Sequence, residues 1–293
     1  MNEIPKVEFL KNNKDEIEFE IFTIKSLFSR INKLNPSLDR PHRLEFYLIL
    51  FITKGTGVHF IDFQPCKYYE GSILFISKGQ VHAFEINPEM DGFLILFTDS
   101  FLSKNLIHSD VLSLYRLYNY HFYSPILHPE EKGKNNFSNI IGSLYEEYNY
   151  TDDFAKEEIL RLLLKLLLLK AERIKHNLNK QEKNSDWVIK FGIFRDQLVM
   201  HCTETRDAKE YARMINISYK HLNEICKAVT GNTAKKFIDN YVVLEIKRNL
   251  ATSDISVKEL SYELGFDEPT NFVKYFKKHT LQTPSQFKQI LTK

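Results

Sequence analysis

Apolar residues recur at every third or fourth position between Val257 and Phe287, whereas short β-rich runs alternate with turn residues between Leu44 and Phe97. The two ends of the chain therefore predict different architectures. Near the C-terminal end, Ser256 and Glu259 have the spacing at which a hydroxyl and a carboxylate reciprocally satisfy the free amides of a helix start, so a helix is expected from Val257. Its stripe is Val257, Leu260 and Leu264; Gly265 ends it, and Pro269 fits the first turn of a second helix that buries Phe272, Val273 and Phe276. The free face of that second helix carries Thr270, Asn271, Lys274, Lys277 and Lys278, and no acidic residue follows Glu268. The pattern is a helix-turn-helix. Taken alone, it reads more simply as a small helical pair whose lysines are merely solvated.

A second copy changes that balance. Lys209-Glu-Tyr-Ala212 answers Lys258-Glu-Leu-Ser261, and Leu222, Cys226, Gly231, Thr233 and Phe237 answer Phe272, Phe276, Leu281, Thr283 and Phe287. Asp207 and Glu210 repeat the capping-box spacing, and Ser218 precedes a helix with Leu222, Ile225, Cys226 and Val229 on its buried face. Tyr219, Lys220, Asn223, Glu224 and Lys227 lie on the opposite face. The segment from Ala234 to Ala251 contains no breaker and predicts one helix joining the two units.

Duplicated in this way, the C-terminal region resembles the DNA-binding domain of the AraC/XylS family of bacterial transcription regulators. The resemblance is carried by Ile255-Ser-Val with Glu-Leu-Gly265-Phe266, by Phe272 and Phe276 followed by Lys277-Lys278, and by Thr283-Pro284-Ser285 with Phe287. It implies sequence-specific binding of double-stranded DNA and contact with RNA polymerase. The DNA contacts would come from Tyr219, Lys220, Asn223 and Lys227 in the first unit and from Thr270, Asn271, Lys274, Lys277 and Lys278 in the second. This sequence departs from the family's pattern at Leu281, where a glycine is usual, at Val242, where an arginine is common, and at Glu224, where a basic residue is common.

Between Leu44 and Phe97 five apolar runs predict five strands, LEFYLILFIT, VHFIDF, SILFIS, VHAFEI and FLILFT, and so a small barrel or jelly roll. Glu16 to Phe28 reads as one or two outer strands. The placement of Gly55, Gly57, His59, Gly71 and Gly79-Gln-Val-His82 is similar to the cupin-like sensing domain of many AraC-type regulators. A barrel of this size encloses one small effector or is simply filled by its own side chains. The expected lining is Tyr47, Phe51, His59, Phe75, Gln80, His82 and Phe84. Cupin enzymes hold metals with histidines and a glutamate, but His42, His59 and His82 include no His-x-His pair with a following glutamate. No metal, cofactor or catalytic residue is therefore expected.

Beyond Phe101 the pattern turns helical, with helices predicted over Asp110 to Tyr120, Phe137 to Tyr150 and Asp152 to His176, the last capped by Thr151 or Asp152. Leu160, Leu162, Leu163, Leu164, Leu166, Leu167, Leu168 and Leu169 cover most of that last helix's circumference. Such a helix is either buried within one chain or covered on one side by a second copy, and homodimerisation through Asp152 to His176, testable at Leu163 and Leu167, is the expectation.

Charge and cysteine content narrow the class. The chain of 293 residues has a formal net charge of only +2. From Asp186 onward 17 Lys and Arg stand against 13 Asp and Glu, a balance of +4, which leaves −2 before it. The basic end is thus the expected nucleic-acid end. Cys66, Cys202 and Cys226 form neither a C-x-x-C pair nor an even set, so neither a zinc ribbon nor a disulfide framework is supported. The N-terminus has no apolar core after a basic start, and the run from Leu162 to Leu169 is interrupted by Lys165 and too short to span a bilayer. A cytoplasmic protein with no membrane segment is expected. The expected fold is α+β: a cupin-like barrel with dimerisation helices over residues 1–176, a linker over 177–185, and an all-α domain with two helix-turn-helix units over 186–293. The rival readings are a metal-dependent cupin enzyme and a protein-interaction module that has lost DNA binding.

Overall fold

The computed structural model describes residues 6–7, 9, 17–31, 41–84, 87, 89–103, 124–178, 185–252 and 255–291. The chain divides into two compact units, Pro5–Lys180 and Gln181–Lys293.

The first unit contains two five-stranded sheets. One has the order β1-β3-β8-β5-β6, built from Lys6–Val7, His42–Leu44, Val81–Ala83, Gly57–Ile61 and Gln64–Tyr68. The other has the order β10-β7-β4-β9-β2, built from Ile126–Leu127, Ile73–Ile76, Tyr47–Lys54, Asp91–Phe97 and Phe19–Thr23. Strand β4 is central and antiparallel to β7 and β9, with Leu50 opposite both Leu74 and Leu94. Both of its faces are buried. Leu48, Leu50 and Ile52 turn inward onto Leu44, Ile61, Tyr68, Leu74, Ile76, Phe84 and Leu94. Ile49 and Phe51 turn the other way, onto a layer that includes Phe137, Ile141 and Leu144 of helix α3 (Glu131–Asn149) and Leu160, Leu164, Leu167 and Leu168 of helix α4 (Lys156–Leu178). A strand covered on both faces loses the apolar–polar alternation that would otherwise reveal its orientation.

Several boundaries differ from the sequence expectation. The stretch from Glu16 to Phe28 contributes one strand, β2, and then helix α1 (Ile24–Ile31). The first long run divides into β3 and β4, and VHFIDF ends at Ile61, because Asp62 (φ 49) and Phe63 (φ 66) form a two-residue turn into β6, a strand the sequence did not predict. Paired positive φ values match the right-handed twist of a tight hairpin, and a phenylalanine there carries no turn signature. A short helix α2 (Asp99–Ser103) follows β9. The helix expected over Asp110 to Tyr120 lies outside the described residues. Helix α3 begins at Glu131 rather than Phe137. Helix α4 begins at Lys156, after Ala155 takes φ 58 and Asp152 accepts the Phe154 amide in a local turn of 2.9 Å instead of capping a helix.

The second unit is all helical: α5 (Ser185–His201), α6 (Ala208–Met214), α7 (Tyr219–Thr230), α8 (Ala234–Thr252), α9 (Val257–Glu263), α10 (Pro269–Thr280) and α11 (Pro284–Leu291). Phe191 and Phe194 of α5 pack edge-on against each other and onto Phe237 of α8 at centroid distances of 5.0 to 5.8 Å, which seats the first helix-turn-helix, α6–α7, on the connecting helix. The second, α9–α10, is seated by buried Leu260, Phe272 and Phe276, with Phe287 of α11 5.8 Å from Phe276.

Candidate DNA-binding face and barrel interior

Local chemistry sets the ends of the helices in both helix-turn-helix units. Ser256 and Glu259 form the full reciprocal box at 3.0 and 3.1 Å. Ser218 Oγ accepts the His221 amide at 3.1 Å, and Pro269 occupies the first turn of α10. In the first unit the box is incomplete: Asp207 accepts the Lys209 amide at 2.9 Å, while Glu210 accepts from Arg213 at 2.6 Å instead of reaching back.

In α10 the residues Thr270, Asn271, Lys274, Lys277 and Lys278 are all exposed, and Phe272 and Phe276 on the opposite face are fully buried. One face is thus committed to the core and the other presents amide, hydroxyl and ammonium groups, as groove entry requires. In α7, Tyr219, Lys220 and Lys227 are exposed in the same way. Asn223 is half-buried, and its Oδ1 accepts the Ala234 amide at 2.9 Å, which ties α7 to the start of α8. Glu224 stands where Lys274 stands in the second unit, with His221 Nδ1 3.6 Å from its carboxylate. The two reading faces are therefore electrostatically unequal, the second being the more attractive to phosphate.

In the barrel, His59 Nε2 and His82 Nδ1 are 3.0 Å apart, the His42 and His82 rings are 4.2 Å apart, and the Phe84 ring lies 5.1 Å from that of His59. All three histidines are buried. Burial, and then the neighbouring His42, pull His59 down to about 3 and hold His82 well below the usual imidazole range. His82 Nε2 is buried without a hydrogen-bond partner among the described residues. Gln80 is held by its neighbours: its Oε1 accepts the Ser77 amide and its Nε2 donates to Asp62 Oδ2, both at 2.7 Å, bracing the β5–β6 turn.

The expected lining is corrected at three positions. Tyr47, Phe51 and Phe75 belong to the outer layer under α3 and α4, on the face of the sheet opposite Phe84. Tyr47 stacks on Phe97 at 5.5 Å, and Phe75 lies 4.7 Å beneath the ammonium of Lys175, a buried lysine that desolvation lowers to about 7. Among the described residues no three His, Cys, Asp or Glu side chains are grouped to hold a metal ion, and no helix is long and apolar enough to cross a membrane.

A two-sheet barrel ahead of a domain with two helix-turn-helix units is the architecture of a DNA-binding protein with a ligand-binding domain. Two family models match the chain in that order, "AraC-like ligand binding domain" over residues 35–164 and "Helix-turn-helix domain" over residues 211–290. The chain belongs to the AraC family of transcription regulators. It is a DNA-binding transcription factor with a ligand-binding N-terminal domain, not an enzyme. Among known proteins it is similar to the HTH-type transcriptional activator RhaS of Escherichia coli O1:K1, 22% identical over 269 residues that cover 87% of this chain and 89% of the relative. ToxT from Vibrio cholerae has a solved structure matching 94% of this chain and 100% of its own at 15% identity and a TM-score of 0.46. The DNA-binding domain of AdpA, solved with a target DNA, matches 33% of this chain and 87% of its own at 23% identity and a TM-score of 0.31.

Proposed function

We propose that residues 186–293 read DNA through α7 and α10, that residues 1–176 sense an effector and dimerise, that residues 177–185 link the two, and that the regulator acts in the cytoplasm on RNA polymerase at a promoter. The observation that carries the DNA-reading assignment is the exposed face of α10, where Thr270, Asn271 and Lys274 stand opposite buried Phe272 and Phe276. Asn271 is the specificity contact and Lys274, Lys277 and Lys278 position the helix on the backbone, with Lys220 and Lys227 doing the same for α7 and Tyr219 packing at its entry. Asn223 contributes through its amide nitrogen, its oxygen being engaged by Ala234. Asn271→Ala is expected to cost about 1–3 kcal/mol and relax preference at one base pair, whereas Lys274→Ala weakens all sequences alike and flattens the salt dependence. Titration of both variants against a selected duplex and a scrambled one checks this; unchanged affinity and preference in both would remove α10 from the interface.

The homodimer reading is supported by α4. Leu160, Leu164, Leu167 and Leu168 are buried, but Leu162, Leu166 and Leu169 are 58%, 43% and 41% exposed and, with Ile159, form a second stripe at helical spacing. Leu167 is therefore unsuitable as an interface probe, since it lies in the core with Leu163 packed beside it. Leu162→Glu combined with Leu166→Glu is expected to yield a folded monomer by sedimentation; a wild-type chain already monomeric at micromolar concentration would contradict the dimer.

In this reading the effector binds beside His59, His82 and Phe84. Support comes from the unpartnered His82 Nε2, because a buried polar atom without a partner costs about 1–3 kcal/mol that a ligand group can recover. A hydroxyl satisfies either tautomer, since it both donates and accepts. The fragment 186–293 is expected to bind DNA more weakly than the full chain and to show no effector response; an equal response in the fragment would move the sensor out of the barrel.

A further inference from the structure

The two helix-turn-helix units touch through more than the shared helix α8. The loop before α6 reaches across to the turn of the second unit. Arg206 donates to the carbonyl oxygen of Leu264 and, at 3.4 Å, to that of Gly265, and its guanidinium lies 3.7 Å above the centre of the Phe266 ring. These carbonyls end α9, where a cation is favoured both by the unpaired acceptors and by the helix dipole. Gly265 takes φ +70, and a side chain there would bring its Cβ to 1.6 Å from the Thr203 carbonyl oxygen, so the loop and the turn meet backbone to backbone.

The contact continues into α8 and α10. Phe266 lies 5.4 Å from the Tyr275 ring, and the Tyr275 hydroxyl donates to Asp239 Oδ1 at 2.8 Å. Asp239 also accepts from Lys235 at 2.7 Å, and Lys235 Nζ donates to the Arg206 carbonyl oxygen at 3.4 Å, which closes a ring through Arg206, Phe266, Tyr275, Asp239 and Lys235. None of these five residues is on the exposed stripes of α7 and α10 assigned to DNA above. Two units joined by one helix retain bending and twisting freedom about it; a closed ring of four segments removes that freedom.

We infer that Arg206, Asp239 and Tyr275 are positioning residues that hold α7 and α10 at one separation, making the spacing between two adjacent major-groove segments a determinant of specificity in this regulator. The inference rests on the reading that both helices enter DNA. A rigid pair delivers its second helix to the groove at a high effective concentration only when the separation matches, about 34 Å for one helical turn. A loosened pair reaches mismatched spacings at little extra cost but gains less at the matched one.

The test uses the full-length protein and a duplex selected by it from a randomised library, together with a derivative carrying two extra base pairs between the two segments that one chain protects. The insertion moves the second segment by about 7 Å along the axis and rotates it around the duplex. Wild type is expected to bind the derivative about 100-fold more weakly than the parent duplex. In Arg206→Met and in the milder Tyr275→Phe, which keeps the ring and removes only the hydroxyl, that penalty is expected to shrink to about tenfold or less. Both variants are checked for wild-type-like circular dichroism and thermal midpoint. A purely structural role would weaken binding to both duplexes in equal ratio, and an unchanged penalty in the folded Tyr275→Phe protein overturns the inference. A wild-type chain that protects one groove segment and tolerates the insertion overturns instead the two-helix reading beneath it.

Discussion

Gly265→Ala is expected to be the most damaging single-methyl change in the C-terminal unit, lowering its stability by roughly 2–5 kcal/mol. Two costs combine. A residue other than glycine pays about 1–2 kcal/mol to hold a left-handed conformation, and Gly265 sits at φ +70. The added Cβ would also stand 1.6 Å from a backbone oxygen, that of Thr203, which cannot rotate aside as a side chain would, and overpacking of this kind costs about 1–3 kcal/mol more. Gly231 separates the two terms, because at φ +74 it has nothing within 4 Å of the same Cβ position. Gly231→Ala should therefore cost only the conformational part. Leu281 completes the series with the opposite sign. It caps α10 at φ 65, the place Gly231 fills in α7, and it is 86% exposed. Leu281→Gly is expected to stabilise by roughly 0.5–1 kcal/mol, the relief of strain exceeding the added unfolded-state entropy. Urea unfolding of the variants gives the ranking, and a Gly265→Ala cost no larger than that of Gly231→Ala would show that the loop yields.

Acidification is expected to destabilise the barrel unit selectively. His59 and His82 are buried and neutral, with folded-state values of about 3 for His59 and well below the usual range for His82, against about 6.5 in the unfolded chain. Well above pH 6.5 both states are neutral and the histidines contribute no pH dependence. Below it the unfolded chain takes up protons that the folded barrel refuses, so stability falls with pH, and for His59 the fall continues towards its folded value. Between pH 7 and pH 5 the loss is about 2 kcal/mol for each histidine that stays neutral in the fold. His59→Gln should remove its share of that slope while leaving the C-terminal unit's response unchanged. A barrel midpoint that is flat from pH 7 to pH 5, or a slope identical in wild type and His59→Gln, would refute the assignment.

The helix-turn-helix units were legible in the sequence because everything that defines them is local. Ser256 and Glu259, Gly265, Pro269 and the Phe272–Phe276 stripe lie within one or two helical turns of the groups they satisfy, and the duplication let each copy corroborate the other. The exposed face of α10 followed directly, since helical spacing alone separates Asn271 and Lys274 from Phe272 and Phe276. In the barrel, sequence could place the strands but not orient them. Strand β4 is covered by the opposite sheet on one side and by α3 and α4 on the other, so Leu48 to Ile52 all read as apolar and nothing local distinguishes Phe51, beneath the helices, from Leu50, inside the barrel. The leucines of α4 pose the same problem around a helix: composition announced an excess of apolar surface, but only packing assigned Leu167 to the core and Leu162 and Leu166 to the outside. The ring from Arg206 to Tyr275 joins residues up to 69 positions apart. No periodicity or motif encodes such a contact, because it exists only once α8 has brought the two units together.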